Sequence, residues 1–514
     1  MTIFQQATNF KALGSKETNI KEAESIRESK VKNLYRDHCQ EVNDVHSKLN
    51  ETKVSRVFAV TNKQDIVDAV LLAKAKGRAL SVCGGRHAMG GQQFTRQEWL
   101  LDMNAYKRVL HFDHDKGQTT VQSGIQWPDL MRQYHQIQHD RGIKWGISQK
   151  QTGADRLSIG GAIAANIHGR GLLHKPFIED VVAFTLINAE GEEIRCSRTE
   201  STDLFSRVIG GYGLFGIVAE VTLQLKLRQK VKRVVEALDI ADLIRRKEER
   251  INEGAIYGDF QFAIDATSDE FLTKGIFSCY LPVDDDTQIP KNQVRLTKPQ
   301  WMDLLALAHQ DKTGAFHQFR QFYLRSNNQV YWSDTHQLSI YLDDYHEALD
   351  ERMGASCPGS EMISELYVPQ DKLLAFMGDC KTMLRELRVD IVYGTVRFIK
   401  QDDESELAWA KDDYACIIFN VHTDHNQAGI NKSKTVLKQL IDVARQYQGS
   451  YFLTYHRYAD KEQVLDCYPQ LPRLLAEKLE YDPKERFQSD WYRHYKAMFA
   501  GQIRAHRQNK QENN

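Results

Sequence analysis

Hydrophobic and polar residues alternate with two different periods along the first half of the chain, and the two periods predict different elements. The segment "VSRVFAV" (54–60) predicts a strand, while "KQDIVDAVLLAKAKG" (63–77) carries apolar residues at helical spacing and ends at Gly77. Five further segments predict strands: "ALSVC", "EWLLDM", "RVLHF", "TTVQSG" and the hairpin "VVAFTLINAEGEEIRC", which turns at residues 190–192. Strands and helices are therefore mixed in this half.

The second half of the chain repeats this mixture without the glycine-rich turns of the first half. "RVVEALDIADLIRRKEERI" (233–251) predicts a strand and a helix, and "KTVLKQLIDVARQYQG" (434–449) predicts a helix with a glycine cap. "YGDFQFAID", "EMISELYVP", "DIVYGTVRFIK" and "ACIIFNVH" predict strands of one sheet. The polar N-terminal region predicts only a helix near residues 19–50.

Composition and charge narrow the class of protein. Of 514 residues, 41% are hydrophobic and 27% are charged, and the net charge of -1 gives no basic excess for nucleic acid. The eight cysteines are scattered without a CxxC spacing, which predicts neither a zinc cluster nor a disulfide framework. The chain shows no signal-peptide core and no apolar run of the roughly 18–20 residues that span a membrane. We therefore expect a cytoplasmic protein with no nucleic-acid partner and no transmembrane segment.

Three glycine-rich stretches interrupt the predicted strands, at residues 81–94 ("SVCGGRHAMGGQQF"), 157–171 ("LSIGGAIAANIHGRG") and 210–216. Glycine-rich turns let backbone N–H groups converge on an anion, because no Cβ blocks the approach. The three stretches indicate either one large phosphate-bearing ligand or three unrelated tight turns. The first stretch does not spell GxGxxG at the start of a helix, and GxxxxGK[ST] is absent, so neither a Rossmann nor a Walker site is predicted.

The same stretches resemble a known family. "GGRHAMGGQ" (84–92), "SIGGAIAANIHGRG" (158–171) and "DLFSRVIGGYGLFGIVAEVTLQL" (203–225) resemble, in this order, the FAD-binding blocks of the vanillyl-alcohol oxidase / p-cresol methylhydroxylase (PCMH-type) superfamily. The tail "CYPQLPRLLAEKLEYDPKERFQSDWYRHY" (467–495) looks like the closing segment of the same oxidases. The nearest members are the sugar and aldonolactone oxidases and the decaprenylphosphoryl-ribose oxidase.

The resemblance implies an α+β fold in four parts. Residues 1–49 would be an N-terminal extension, and residues 50–228 a PCMH-type FAD-binding domain built from two subdomains. Residues 229–450 would form an α+β substrate (cap) domain with an antiparallel sheet over the flavin. Residues 451–514 would return to the FAD domain, and the oligomeric state is left unspecified.

The resemblance also implies which residues bind FAD. The first loop would wrap the pyrophosphate and ribityl region, where Arg86 either faces a phosphate or caps the loop. The FAD-binding residues would be Gly84, Gly85, Arg86, His87, Ala88, Gly90 and Gln92 in the first loop, Ser158, Gly160, Gly161, Ala165 and Asn166 in the second, and Gly216, Ile217 and Val218 in the third.

The resemblance leaves two roles open for His87. Several relatives bond a histidine at this position to the flavin 8α-methyl group, while others carry no histidine there, so the choice lies between a covalent bond and simple contact. Relatives with two covalent links also use a cysteine before the second loop. "QTGADRLSIGG" has none, so double attachment is not expected.

The catalytic residues are implied by two further positions and one short segment. His168, in "NIHG", lies where relatives bring a histidine close to the flavin ring, and its alternative role is to pin the loop by hydrogen bonds. Arg397, in "YGTVRFIK", falls on the strand where sugar oxidases carry Glu-x-Arg, and it would place positive charge near flavin N1–C2=O. Thr395 replaces that glutamate, which is a departure from the polyol-oxidising pattern.

"FLTYHRY" (452–458) aligns with the segment that carries the active-site lysine of the decaprenylphosphoryl-ribose oxidase, and we expect it to be a strand. Tyr455 takes the position of the lysine, whereas His456 is the better acid or base at pH 7. Neighbours on a strand point to opposite faces, so one of the two would reach the flavin, and the choice stays open. His422, Asp424 and His425 could bind a metal only with a further ligand nearby, so no metal site is predicted.

Together these features predict an FAD-dependent oxidoreductase that transfers a hydride from a CH–OH group of a sugar-like or polyol-like substrate to flavin N5. Its partners would be a small-molecule substrate and an electron acceptor. Ile167 is bulky where relatives often carry a small residue that admits oxygen, which favours an acceptor other than O₂. The alternatives are an NADPH-driven C=C reductase of the sterol-reductase type and a non-catalytic FAD-binding scaffold.

Overall fold

The computed structural model describes residues 35–36, 39–339, 342 and 345–512, and it confirms the mixed α+β class. The helix expected near residues 19–50 lies largely outside these residues, and its described end is wrong, because residues 40–54 form a hairpin. The first elements are β1 (Tyr35–Arg36), β2 (Gln40–Val42), β3 (Thr52–Val54), β4 (Arg56–Ala59), α1 (Lys63–Ala75), β5 (Leu80–Cys83) and β6 (Trp99–Asp102).

Helix α1 begins at a capping box, in which the Asn62 side chain and Asp65 satisfy each other's backbone N–H groups. Its apolar stripe, which includes Ile66 and Val70, packs in one core with Phe58 of β4. The four-stranded sheet has the order β1-β4-β6-β5, and β6 runs parallel to both β4 and β5. Strand β5 therefore ends at the sheet edge where the first glycine loop starts.

A second sheet carries the other two glycine-rich segments. Its five antiparallel strands have the order β11-β10-β12-β8-β7. The second loop leads into α3, and the third lies between α4 and β12. The elements are β7 (Val109–Asp113), β8 (Gln118–Gln122), α2 (Trp127–Ile137), β9 (Trp145–Gly146), α3 (Ile159–Ala165), β10 (Val181–Ile187), β11 (Glu193–Ser197), α4 (Thr202–Val208), β12 (Ile217–Gln224) and β13 (Lys226–Leu227).

A third, eight-stranded sheet is antiparallel throughout, with the order β17-β14-β16-β15-β19-β20-β18-β21. Long apolar strands and amphipathic helices build it, as the sequence predicts. Its elements are β14 (Lys230–Asp239), α5 (Ile240–Asn252), β15 (Tyr257–Phe262), β16 (Lys274–Val283), α6 (Lys298–Gln310), α7 (Lys312–Arg325), β17 (Val330–Trp332), α8 (Tyr345–Met353), β18 (Gly359–Pro369), α9 (Leu373–Glu386), β19 (Ile391–Ile399), β20 (Tyr414–Asp424), α10 (Gln427–Gln446) and β21 (Ser450–Tyr451).

The C-terminal helices are α11 (Lys461–Cys467), α12 (Leu471–Tyr481), α13 (Asp490–Met498) and α14 (Ala500–Glu512). The tail returns to the first sheet, where the Leu80 N–H donates to the Arg486 carbonyl at 2.7 Å and the Gln488 N–H donates to the Leu80 carbonyl at 3.0 Å. The strand expected at 452–458 is wrong, because the extended pairing ends at Tyr451 and a turn follows. Among the described helices, none combines the length and apolar character needed to cross a membrane.

Candidate active site

A cavity of about 1230 Å³ lies between the glycine-rich loops and the eight-stranded sheet. It is larger than the roughly 300–1,000 Å³ of ordinary ligand pockets, so it has room for a large cofactor and a second molecule. Among the residues predicted for cofactor binding and catalysis, its wall contains Gly84, Gly85, Arg86, His87, Ala88, Gln92, Ser158, Gly160, Gly161, Ala165, Gly216, Ile217, Val218, Arg397 and Tyr455.

The first loop (residues 84–93) needs glycine because the second loop lies directly against it. A Cβ on Gly85 would stand 2.0 Å from the Arg156 carbonyl oxygen, and a Cβ on Gly84 would stand 2.1 Å from Ser158 Oγ. Neither loop can move away without a cost in free energy, because the contacts are made by the Arg156 backbone and by Ser158, which caps α3. The two glycines therefore let two loops from different sheets form one continuous wall.

The amides of the first loop are available to a bound anion. In the part of the chain that the structure describes, the N–H groups of Gly84, Gly85 and Ala88 donate no hydrogen bond. The Arg86 backbone is left-handed (φ 58°). Alternation of right-handed and left-handed residues turns successive amides toward one side. Its guanidinium donates to Asp102 at 3.1 Å, which fits the loop-capping role. This backbone suits the pyrophosphate of a dinucleotide cofactor.

The second and third loops are hydrogen-bonded to each other around α3. Ser158 caps α3 by accepting from the Gly161 N–H at 3.2 Å, and the Gly210 and Tyr212 amides each donate to α3 carbonyls at 2.9 Å. Asn166, which ends α3, donates to Asp402 at 2.8 Å. Asn166 thus fastens the loop from behind rather than lining the cavity.

The C-terminal segment docks on the first loop and so places Tyr455. The Met89 and Gly90 amides both donate to the Thr454 carbonyl at 3.1 Å, and the Gln92 side chain donates to the Leu453 carbonyl at 2.9 Å. Gly90 therefore helps to join the C-terminal segment to the first loop, and it lies outside the cavity wall. Tyr455 follows directly and faces the cavity.

His87 sits in the wall and pairs with His46, whose Nε2 lies 2.7 Å from His87 Nδ1. Burial, reinforced by the neighbouring His46, holds the pKa of His87 well below its ordinary value. The ring is therefore neutral at pH 7, as a nitrogen nucleophile must be. A bond to the flavin through Nε2 would leave the His46 contact at Nδ1 in place.

We predict that His87 carries the flavin covalently. After acid precipitation the flavin should stay with the protein pellet, and the His87→Ala protein should release its flavin into the supernatant. An exposed histidine, His111, offers the matched control, and His111→Ala should behave like the wild type. A yellow supernatant from the wild-type protein would show that His87 makes contact only.

The cap side of the cavity holds a buried arginine. Arg397 lies on β19, is only 4% exposed, and has no hydrogen-bond partner for Nε or Nη1 among the described residues. Thr395 lies outside the wall and donates to the Phe260 carbonyl at 3.1 Å, so its role is to fasten β19 to β15. A buried guanidinium with unused N–H groups is suited to bind negative charge within the cavity.

Glu365 is a functional candidate that sequence reasoning missed. It lies on β18, accepts from the Tyr455 hydroxyl at 3.0 Å, and is hydrogen-bonded through its other oxygen to His168 Nε2. Burial opposes its ionisation most strongly, but His168 and Arg397 together hold its pKa below the ordinary value. The signal available in the sequence was a glutamate at the centre of the predicted strand "EMISELYVP", and the structure buries it to 1% exposure.

The two predicted catalytic histidines lie outside the cavity wall. His168 is fully buried between Glu365 and Trp409, with its ring centroid 5.2 Å from the Trp409 ring. His456 stacks between Tyr451 and Tyr458, and burial lowers its pKa to about 4. His168 is therefore connected to the cavity through Glu365 and Tyr455, and the acid–base argument that favoured His456 does not hold.

Part of the chain is similar in sequence to known proteins. Residues 54–197 match the family model described as an FAD binding domain. The mouse (Mus musculus) L-gulonolactone oxidase is 30% identical over 168 residues, covering 32% of this chain and 36% of that protein. Cytokinin dehydrogenase 3 of Oryza sativa is 30% identical over 158 residues, covering 29% and 28%.

The D-arabinono-1,4-lactone oxidase of Candida glabrata is 22% identical over 189 residues, covering 37% of this chain and 35% of that protein. The chain thus matches about a third of the length of these relatives. The family-model match over residues 54–197 includes the first two glycine loops and the helix between them. Residues 54–197 are therefore similar to an FAD-binding domain, and FAD is the cofactor that this similarity supports.

Proposed function

We propose that the protein is an FAD-dependent oxidoreductase that takes a hydride from a CH–OH group of a sugar-like or polyol-like substrate. One observation carries this proposal: the cavity lined by the predicted FAD loops is also lined by a buried arginine with two unused N–H-bearing nitrogens and by two acceptor oxygens without a hydrogen bond among the described residues. The oxidase and dehydrogenase names of the matched relatives support the same class.

The fold suggests a role in the reaction for each part of the chain. The two sheets of residues 50–228 would hold FAD between them, residues 229–450 would cover the flavin, and residues 451–514 would close the site. When bound, FAD supplies the hydride acceptor. Arg397 would lie against the flavin N1–C2=O edge and stabilise the negative charge that develops there during reduction.

Tyr455 and Glu365 offer a route for the proton of the substrate hydroxyl. Tyr455 faces the cavity and donates to Glu365, while burial and the Glu365 charge raise the pKa of Tyr455 well above its ordinary value. Tyr455 therefore keeps its proton and acts as a relay. As its oxygen accepts the substrate proton, its own proton passes to Glu365 Oε2, and His168 orients that carboxylate.

Two unpaired acceptors around the cap support the proposed substrate class. Gln261 Oε1 and Asn420 Oδ1 are buried, belong to residues of the wall, and accept no hydrogen bond within the described part of the chain, whereas Asp259 Oδ1, also of a wall residue, faces Arg170 Nη1 at 3.7 Å. Buried acceptors without donors are costly unless a ligand supplies the donors. Several hydroxyl groups on neighbouring carbons would do so, which favours a sugar or polyol over an aromatic alcohol.

Anaerobic mixing tests the proposal. The flavin-loaded protein is mixed without oxygen with sorbitol, xylitol, glucose, L-gulono-1,4-lactone, benzyl alcohol or NADPH, and the flavin absorbance is followed. We expect a sugar, polyol or lactone to bleach the flavin, while benzyl alcohol and NADPH leave it oxidised. Bleaching by NADPH alone would favour the C=C reductase.

Ile167 bears on the electron acceptor, which the same experiment can test by following reoxidation of the reduced protein. It lies in the wall, is 2% exposed, and fills the space beside His168 with a β-branched side chain. We therefore propose an electron acceptor other than O₂. The reduced protein should reoxidise slowly in air and quickly with a dye, and rapid reoxidation in air would contradict this choice.

A further inference from the structure

A second group of polar side chains lies near the His46–His87 pair, away from Glu365 and Tyr455. It comprises His309 from α6, His346 from α8, Glu361 from β18 and His422 from β20, and we refer to it as the histidine cluster. Of its members, His346 also lines the cavity. The proposed hydride transfer uses none of the four residues.

The distances within the histidine cluster fit a shared ion better than hydrogen bonds. His309 Nε2 lies 3.5 Å and His422 Nδ1 lies 3.6 Å from Glu361 Oε1, while His346 Nδ1 lies 3.3 Å from Oε2. An N–H···O hydrogen bond spans about 2.7–3.2 Å. Zinc–ligand bonds of about 2.0–2.1 Å in a tetrahedron separate neighbouring ligand atoms by about 3.3–3.4 Å.

The ligand atoms are also buried. The side chains of His309, His346 and Glu361 are 6%, 9% and 4% exposed. His309 Nε2, His346 Nδ1, His422 Nδ1 and Glu361 Oε1 have no hydrogen-bond partner in the part of the chain described.

Groups around the histidine cluster orient its members. Asp424 Oδ1 lies 3.7 Å from His422 Nε2, the ring nitrogen that faces away from Glu361, and the Tyr345 hydroxyl donates to Glu361 Oε2. A Cβ on Gly359 would stand 2.6 Å from His422 Cε1, so glycine makes room for the ring. A carboxylate behind a metal-binding histidine is the usual second layer of such sites.

The other group of candidate ligands, His168, Glu365 and Cys416, differs on each of these points. His168 is already hydrogen-bonded directly to Glu365. Burial raises the pKa of the Cys416 thiol well above its ordinary value, which leaves it protonated. Of the residues that the sequence suggested as ligands, His425 turns away and pairs with Ser360 Oγ at 2.8 Å.

We propose that His309, Glu361 and His422 bind one divalent transition-metal ion of the Zn²⁺ type, while His346 faces the second oxygen of Glu361. Imidazole and carboxylate ligands suit this class of ion, and three protein ligands leave the fourth position of a tetrahedral ion to a water molecule. The ion would fasten α6 to β18 and β20 beside the cavity. It would take no part in the hydride transfer, so this proposal stands or falls independently of the proposed function.

Metal content tests the proposal on the full-length, FAD-loaded protein. After incubation with excess Zn²⁺ and desalting, mass spectrometry of the elements should find one zinc per chain. Glu361→Gln and His309→Asn should retain less than a tenth of that amount and keep their flavin. The matched control is His317→Asn, since His317 is exposed on α7, and it should retain zinc like the wild type.

A second measurement covers variants that fail to fold. Co²⁺ added to the metal-free wild-type protein should give the intense visible absorption of a four-coordinate ion, at wavelengths longer than the flavin band. Addition of Zn²⁺ should abolish it. Wild-type protein that retains no more zinc than Glu361→Gln, or Co²⁺ that keeps the weak spectrum of the aqueous ion, would overturn the proposal and leave a network of buried histidines around one carboxylate.

Discussion

Replacing Arg397 with methionine should slow the anaerobic reduction of the flavin by substrate about 100- to 1,000-fold, which is the usual cost of removing one donor that stabilises a developing negative charge. Methionine keeps an unbranched chain of similar reach but carries no positive charge and no N–H donor. Because Arg397 makes no hydrogen bond through Nε or Nη1, little of the surrounding structure depends on it. The flavin content of the protein should therefore remain that of the wild type.

The control for this prediction is an arginine on the same domain that faces solvent. Arg325 is exposed at the end of α7, and Arg325→Met should reduce its flavin at the wild-type rate. Arg397→Lys separates charge from geometry, because lysine restores the charge without the planar fork of donors. A rate unchanged in Arg397→Met would show that the arginine does not act on the flavin or the substrate.

Replacing Gly85 with alanine should empty the cofactor site. The added Cβ would stand 2.0 Å from the Arg156 carbonyl oxygen, so the first and second loops must separate. Overpacking of this kind costs about 1–3 kcal/mol. Expressed in FAD affinity, this corresponds to about 5- to 150-fold weaker binding. The flavin-to-protein ratio after purification and the thermal midpoint should both fall.

Gly378 provides the comparison. It lies within α9, and a Cβ there would meet nothing within 4 Å, so Gly378→Ala should keep its flavin. In a helix interior this change is expected to stabilise by about 0.5–1 kcal/mol. Wild-type flavin content in Gly85→Ala would mean that FAD does not depend on the contact between the two loops.

The parts of the fold and site that the sequence predicts are those set by short segments. The helix at "KQDIVDAVLLAKAKG", the strands around it and the three glycine-rich turns are local features, and each glycine stretch lies in or beside the cavity. The strands of the eight-stranded sheet can also be predicted, because continuous apolar runs are consistent with buried strands. The order of these strands in the sheet cannot be predicted in this way, since it depends on contacts between distant segments.

Side-chain networks between distant segments cannot be predicted from short segments of the sequence. Glu365 becomes a candidate only when β18 brings it against Tyr455 and His168, which are 90 and 197 residues away along the chain. The histidine cluster draws its members from four elements in the same way. The pair Tyr455 and His456 shows the opposite error, because their separation rests on a strand that the structure replaces with a turn.

The most direct test of the proposed hydride transfer is the rate of anaerobic flavin reduction by one substrate in two isotopic forms. The sugar or polyol that bleaches the flavin fastest is prepared with hydrogen or deuterium on the carbon that bears the reacting hydroxyl. If the cavity places that C–H bond against the flavin, the deuterated substrate should bleach the flavin several-fold more slowly. The proposal would be contradicted by equal rates in a step shown to be chemical, or by a flavin that no sugar or polyol reduces.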